Sequence, residues 1–179
     1  MSACALLLKK QLFLLLCILF SVSFSAPQLL TVEQIRSEYE NVQAAMKNYT
    51  KIDVADNDMS TEGGEISYYY DKQKLKVIIA KYYGETGKMN EEIYLYENYP
   101  MFVYKETYNY NTPMYDKKFD DKKTKVLKER YYFDSNKNLI KYIDPKDKEI
   151  TDSKIIQDKS IEIKKEVVRL LQKRNSGKK

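Results

Sequence analysis

Between residues 65 and 144 apolar side chains recur at alternate positions in short runs, and the chain turns polar between them. Successive side chains of a strand point to opposite faces, so this alternation predicts strands over residues 65–70, 75–83, 89–97, 101–110, 124–133 and 139–144. Residues 71–74, 84–88 and 134–138 carry the Asp, Asn and Gly that accept left-handed backbone angles at a tight reversal. Asn98, Tyr99 and Pro100 form a fourth break, because proline cannot donate to a ladder. Most connections are too short for the crossover that a parallel pair requires, so neighbouring strands are antiparallel.

Each run divides into two faces. In 89–97, Ile93 and Leu95 oppose Glu92, Tyr94 and Tyr96. In 124–133, Val126, Lys128, Arg130 and Tyr132 oppose Leu127, Glu129, Tyr131 and Phe133, and in 75–83 Leu75, Val77, Ile79 and Tyr83 oppose Lys76, Ile78, Ala80 and Tyr82. The simplest assembly buries an aliphatic face under helices. It leaves a second face of tyrosine mixed with lysine and glutamate, and such a sheet needs one covering layer.

The period changes on either side of this region. Val32, Ile35, Tyr39, Val42, Met46 and Tyr49 recur at spacings of three and four, which predicts a helix over 31–49. Thr31 with Gln34 makes a capping-box pattern at its start. Ile163, Val167, Leu170 and Leu171 predict a second helix over 158–174, followed by a short flexible basic tail. The fold class is therefore α+β: an antiparallel meander sheet of about six strands packed against an N-terminal and a C-terminal helix.

Residues 1–25 have the pattern of a secretory signal peptide. Lys9 and Lys10 precede an unbroken apolar run over 12–20, and Ser23 and Ser25 supply the small side chains a cleavage site needs, placing the cut after Ser25. The alternative is an uncleaved anchor, for which the run is short of the ~20 residues of a spanning helix. Both cysteines, Cys4 and Cys17, lie within this segment, and Leu16 is too bulky for a lipoprotein cleavage site. The mature chain is thus expected to be secreted or periplasmic, without disulfides and without a transmembrane helix. Residues 26–179 form one domain by length, burying roughly 68–70% of the surface its unfolded chain exposes. Loss of Lys9 and Lys10 takes the formal net charge from +5 to +3, with both signs interspersed. That balance, together with export, points away from nucleic acid.

Composition also limits the chemistry. The chain has no histidine and the mature part no cysteine, which excludes imidazole acid–base catalysis, thiol nucleophiles and the usual zinc sites. A carboxylate-dependent hydrolase stays open, with Glu92, Glu97, Glu106 and Glu129 as strand carboxylates, but no pair among them is marked by pattern. Asp53, Asp56, Asp58 and Glu62 lie in a polar linker over 50–64 and suggest a weak calcium loop. Thr61 stands where a calcium loop places its turn glycine. Residues 111–123 form the longest break between strands, either a binding element or a surface connection.

The positive signal is the 17 tyrosines, most of them in the predicted sheet. Tyrosine combines a large apolar face with a polar tip, which suits recognition surfaces, and it also stabilises sheets by cross-strand pairing. Tyr94 and Tyr96, with Tyr69 and Tyr82 as neighbours on the same side, are the candidate platform for a glycan, peptide or protein partner. The sequence reading is a non-enzymatic binding domain without a resident cofactor, with an accessory subunit of an envelope or secreted assembly as the alternative.

Overall fold

The computed structural model describes residues 29–176; the expected signal segment and its cleavage site lie outside them. Helix α1 (Val32–Ala45) opens on the capping box expected from sequence: Gln34 N–H donates to Thr31 Oγ1 and Thr31 N–H to Gln34 Oε1. A single 3₁₀ turn (Met46–Asn48) leads into β1 (Thr50–Ala55). There follow β2 (Gly64–Asp71), β3 (Lys74–Gly84), β4 (Gly87–Tyr96), β5 (Tyr99–Asn109), β6 (Lys125–Phe133), β7 (Leu139–Ile143) and β8 (Glu149–Ile150). The chain continues into helix α2 (Ser153–Ser176). All eight strands form one sheet in chain order, every pair antiparallel.

The class is α+β, with eight strands rather than about six. β1 occupies the first part of the segment expected as a linker, where only Ile52 and Val54 alternate against charge. β8 is two residues long, below the length at which alternation can be read. Helix α2 starts five residues earlier than expected, because the Asp152 carboxylate accepts from Ile155 N–H at 3.0 Å and caps its first turn. The helix also runs through Ser176, taking in the first residues of the expected tail. Among the described residues no helix is long and apolar enough to cross a membrane.

The sheet has a helix on each face, which corrects the expected single layer. α1 lies over Val77, Tyr94, Met101, Phe102 and Tyr132, burying Ile35 and Val42 among them. α2 lies over Ile66, Tyr68, Ile78, Ile93, Val103, Tyr131, Phe133 and Tyr142, with Ile163, Val167 and Leu170 inward. The α1 stripe therefore meets an aromatic face, not the aliphatic one. Tyrosines occur in both cores.

Bulges at Tyr69/Tyr70, Tyr94/Leu95 and Tyr132/Phe133 shift the alternation. The first lets Leu75 join the α2 side, away from Val77, because a bulge inserts one residue and reverses the faces beyond it. The second admits Pro100 into β5 opposite Leu95, so the turn is Glu97–Asn98, both with positive φ, and not Asn98 to Pro100. Gly87 begins β4 where an added Cβ would run into the carbonyl of Tyr108.

Candidate functional site

α1 covers only part of its face of the sheet. Where the helix passes over β5 and β6, a cavity of about 300 Å³ opens between them, lined by Ile35, Arg36, Tyr39 and Glu40 from the helix and Phe102, Tyr104, Arg130 and Tyr132 from the sheet. Its sheet wall follows from register. Phe102 pairs with Tyr132 and Tyr104 with Arg130, and residues two apart on a strand share a face.

The aromatic wall is fixed by ring contacts. Tyr39 meets Tyr94 and Phe102 edge-on, with centroids 4.8 and 5.3 Å apart, and Phe102 lies 5.0 Å from Tyr132. Beneath them Tyr94 is fully buried, donating its hydroxyl to Glu92 at 2.5 Å and accepting from the Gln43 side chain. Burial and the neighbouring Glu92 carboxylate push its ionisation far above the usual tyrosine range.

Two cations, Arg36 and Arg130, and one carboxylate, Glu40, line the cavity. The Arg130 side chain is 34% exposed and pairs through its Nη2 with Asp147 in the β7–β8 turn. Its Nε is buried and makes no hydrogen bond. A buried donor without a partner costs on the order of 1–3 kcal/mol. A second cavity of about 330 Å³ adjoins on the far side of Tyr104 and Arg130 and adds Val126, Lys128, Pro145 and Asp147. At its border Glu106 accepts from Tyr104 at 2.7 Å and from Tyr108 at 2.8 Å. Burial works to raise the Glu106 carboxyl, but those hydroxyls and Lys128 outweigh it and hold it below the usual range.

The four tyrosines of the sequence platform do not share one surface. Tyr69 and Tyr94 belong to the α1 side, Tyr69 half-buried and Tyr94 closed off by the helix. Tyr82 is buried on the α2 side, its hydroxyl donating to Asp56 at 3.2 Å and accepting from Arg169. Tyr96 is exposed and lines a separate cavity with Lys74, Leu75, Lys76, Leu95, Glu97 and Asn98. The expected common side fails because Val77 stands opposite Tyr94 and shares its face, while Tyr82, an odd number of residues along the same unbroken strand, points to the other face.

The acidic linker is resolved into separate contacts. Asp53 accepts from Ser67 at 2.6 Å and pairs with Lys51 at 2.9 Å. Asp56 is fully buried and meets Arg169 at 2.5 Å and Lys173 at 3.2 Å, while Asp58 meets Lys173 at 2.5 Å and Glu62 is exposed. Burial acts to raise the Asp56 carboxyl, but Arg169 and Lys173 together hold it low. Among the described residues no group of three or more His, Cys, Asp or Glu is placed to hold a metal ion. The strand carboxylates are also divided: Glu129, accepting from Tyr131 and Tyr142, lies on the α2 side, Glu106 is on the α1 side, and Glu97 is in a turn. The 111–123 connection is tied by Asn111, which donates to the Lys118 carbonyl at 2.9 Å and accepts from Asp120 N–H at 3.0 Å.

Sequence reasoning missed Arg36, Tyr39, Phe102, Tyr104, Arg130 and Tyr132 as a set. The signal present was the pairing of an aromatic with an aromatic or arginine two residues away on successive strands, beside a helix whose stripe includes Tyr39. Comparison with family models, curated proteins and solved structures finds no match to this chain.

Proposed function

We propose that the protein is an exported, non-enzymatic binding protein that takes a carboxylate-bearing glycan or peptide in the cavity between α1 and the sheet. The observation that carries this reading is the buried, unpartnered Nε of Arg130 in a wall of aromatic rings. An arginine fork donates parallel N–H bonds to a carboxylate, and each charge-assisted bond is about twice as strong as a neutral one. Tyr39, Tyr104 and Tyr132 offer apolar faces with polar tips, which suits a sugar ring or a planar side chain next to the acid. Arg36 supplies a second cation at the rim, and Lys128 extends the charge into the adjoining cavity. The size favours one residue or sugar seated at a time, since the cavity is at the lower end of ligand pockets.

The test is the thermal midpoint of the protein against uronic-acid oligosaccharides, neutral oligosaccharides of equal length, and acidic and neutral peptides, since a ligand of the native state raises it. A rise with a carboxylated ligand that weakens by about ten- to a hundredfold in affinity in Arg130→Gln is the expected result. No rise with any carboxylated ligand, or an equal rise in Arg130→Gln and Tyr104→Ala, contradicts the reading.

Export rests on the basic pair and apolar run of residues 9–20. Amino-terminal sequencing of the protein recovered outside the cytoplasm is expected to begin at Ala26. Recovery only from the cytoplasm with residues 1–25 retained contradicts it.

A further inference from the structure

A meander leaves two edges, and here they differ. β8 is two residues long, a length that offers another chain little to pair with. β1 is six residues long, and of these Thr50, Lys51, Ile52, Asp53 and Ala55 are exposed.

Which backbone groups β1 presents follows from its pairing with β2. Asp56 N–H donates to the Gly64 carbonyl at 2.9 Å, so positions 56 and 64 form a hydrogen-bonded pair. In an antiparallel ladder such pairs alternate, and the β1–β2 register runs without a shift from Ala55–Glu65 to Thr50–Tyr70. Even-numbered β1 residues therefore bond to β2. The N–H and C=O of Lys51, Asp53 and Ala55 point outward.

The side chains of this edge are complementary to themselves. In an antiparallel pair centred on Ile52, Lys51 lies opposite Asp53 of a second copy, Asp53 opposite its Lys51, and Ile52 opposite its Ile52. The two charge pairs coincide with the outward hydrogen-bonding positions, so each is a narrow pair with mutual N–H···O=C bonds. Directly opposed residues share a face, which puts both Lys51–Asp53 pairs on the α1 side and the exposed Ile52 pair on the α2 side. Within one chain Lys51 and Asp53 already lie 2.9 Å apart, so the four charges would alternate in sign around a square. A shift of register by two residues loses both of these pairs and sets Lys51 or Asp53 opposite its own counterpart.

We propose that β1 is a homodimer interface, two copies joining edge to edge about a two-fold axis through Ile52 to make one continuous sheet. The partner is a second copy of this chain. The inference does not depend on the ligand cavity, which lies on β5 and β6, remote from this edge in strand order.

The experiment is sedimentation of the protein, in the form in which it accumulates in the producing cell, over a concentration series, with Lys51→Asp, Asp53→Lys and the double exchange. The wild type is expected to associate reversibly. Each single variant, now opposing like charges at both pairs, is expected to associate at least about tenfold more weakly. An equimolar mixture of the two single variants restores every opposite-charge pair and is expected to associate like the wild type, as is the double exchange. Circular dichroism of each variant checks that it is folded. Hydrogen exchange on the wild type gives a reading without substitutions, the amides of Lys51 and Asp53 becoming protected as concentration rises. A monomeric wild type, equal association of wild type and single variants, or a mixture that stays monomeric overturns the proposal.

Discussion

Glu91 is a carboxylate that the fold places under a helix without completing its hydrogen bonds. It points from β4 towards α2, is 2% exposed, and its Oε2 has no partner. Lys105 from β5 and Glu162, Glu166 and Arg169 from α2 surround it, and burial, only partly offset by Lys105, pushes its pKa up to about 7. Its ordinary value is 4.5, so the folded protein holds this proton more tightly than the unfolded chain. The stability from the retained proton is full below about pH 4.5, declines as pH rises, and levels off above about 7. Replacing Glu91 by Gln is expected to remove this slope and to stabilise the protein at pH 8 by on the order of 3 kcal/mol. Thermal midpoints of both proteins measured from about pH 5 to about pH 8 check this. Parallel curves for the two would contradict it. Asp56 acts in a separate window: held low, it contributes stability above about 3.8 that is lost as pH falls through its folded value.

At the scale of elements, the last turns of α2 are held to the segment after β1 by charge. Arg169 meets Asp56 and Glu166, and Lys173 meets Asp56 and Asp58. Asp56→Asn keeps the shape but leaves Arg169 and Lys173 without their buried counter-charge, a change expected to cost about 3 kcal/mol in denaturant unfolding. A loss below about 1 kcal/mol would mean that apolar packing of Ile163, Val167 and Leu170 alone seats the helix. These contacts also show which elements were readable from sequence. The α1 start was legible because Thr31 and Gln34 satisfy each other locally, and the hairpins from β2 to β7 because their turns carry Asx or Gly. β1 was not, since an edge strand that keeps Lys51 and Asp53 in water lacks the apolar alternation of a buried one. The early start of α2 was missed because Asp152 caps a first turn whose Ile155 is exposed, outside the inward stripe.

For the whole molecule, the decisive feature is the second covering helix. Alternation sorted Ile93 from Tyr94 and Tyr131 from Tyr132 correctly, yet it carries no information on what lies over either face. With α1 on one side and α2 on the other, Tyr94 and Tyr82 became core residues in different layers, and the tyrosines that line the cavity beside α1 are Tyr39, Tyr104 and Tyr132. Arg130 was visible on the same face as Tyr132. The burial of its unpartnered Nε was not, because that depends on how the elements pack in three dimensions. If β1 joins two copies, the same sheet would present two such cavities on one rigid body, and a ligand with repeating acids would bind more tightly than its single unit through the linkage alone. The most direct test of the central claim is the NMR signal of the Arg130 Nε–H group while a uronic-acid oligosaccharide is titrated into the protein. This proton is expected to shift downfield and to saturate together with signals of Arg36 and Tyr104. A signal that stays in place while other parts of the protein respond would contradict it.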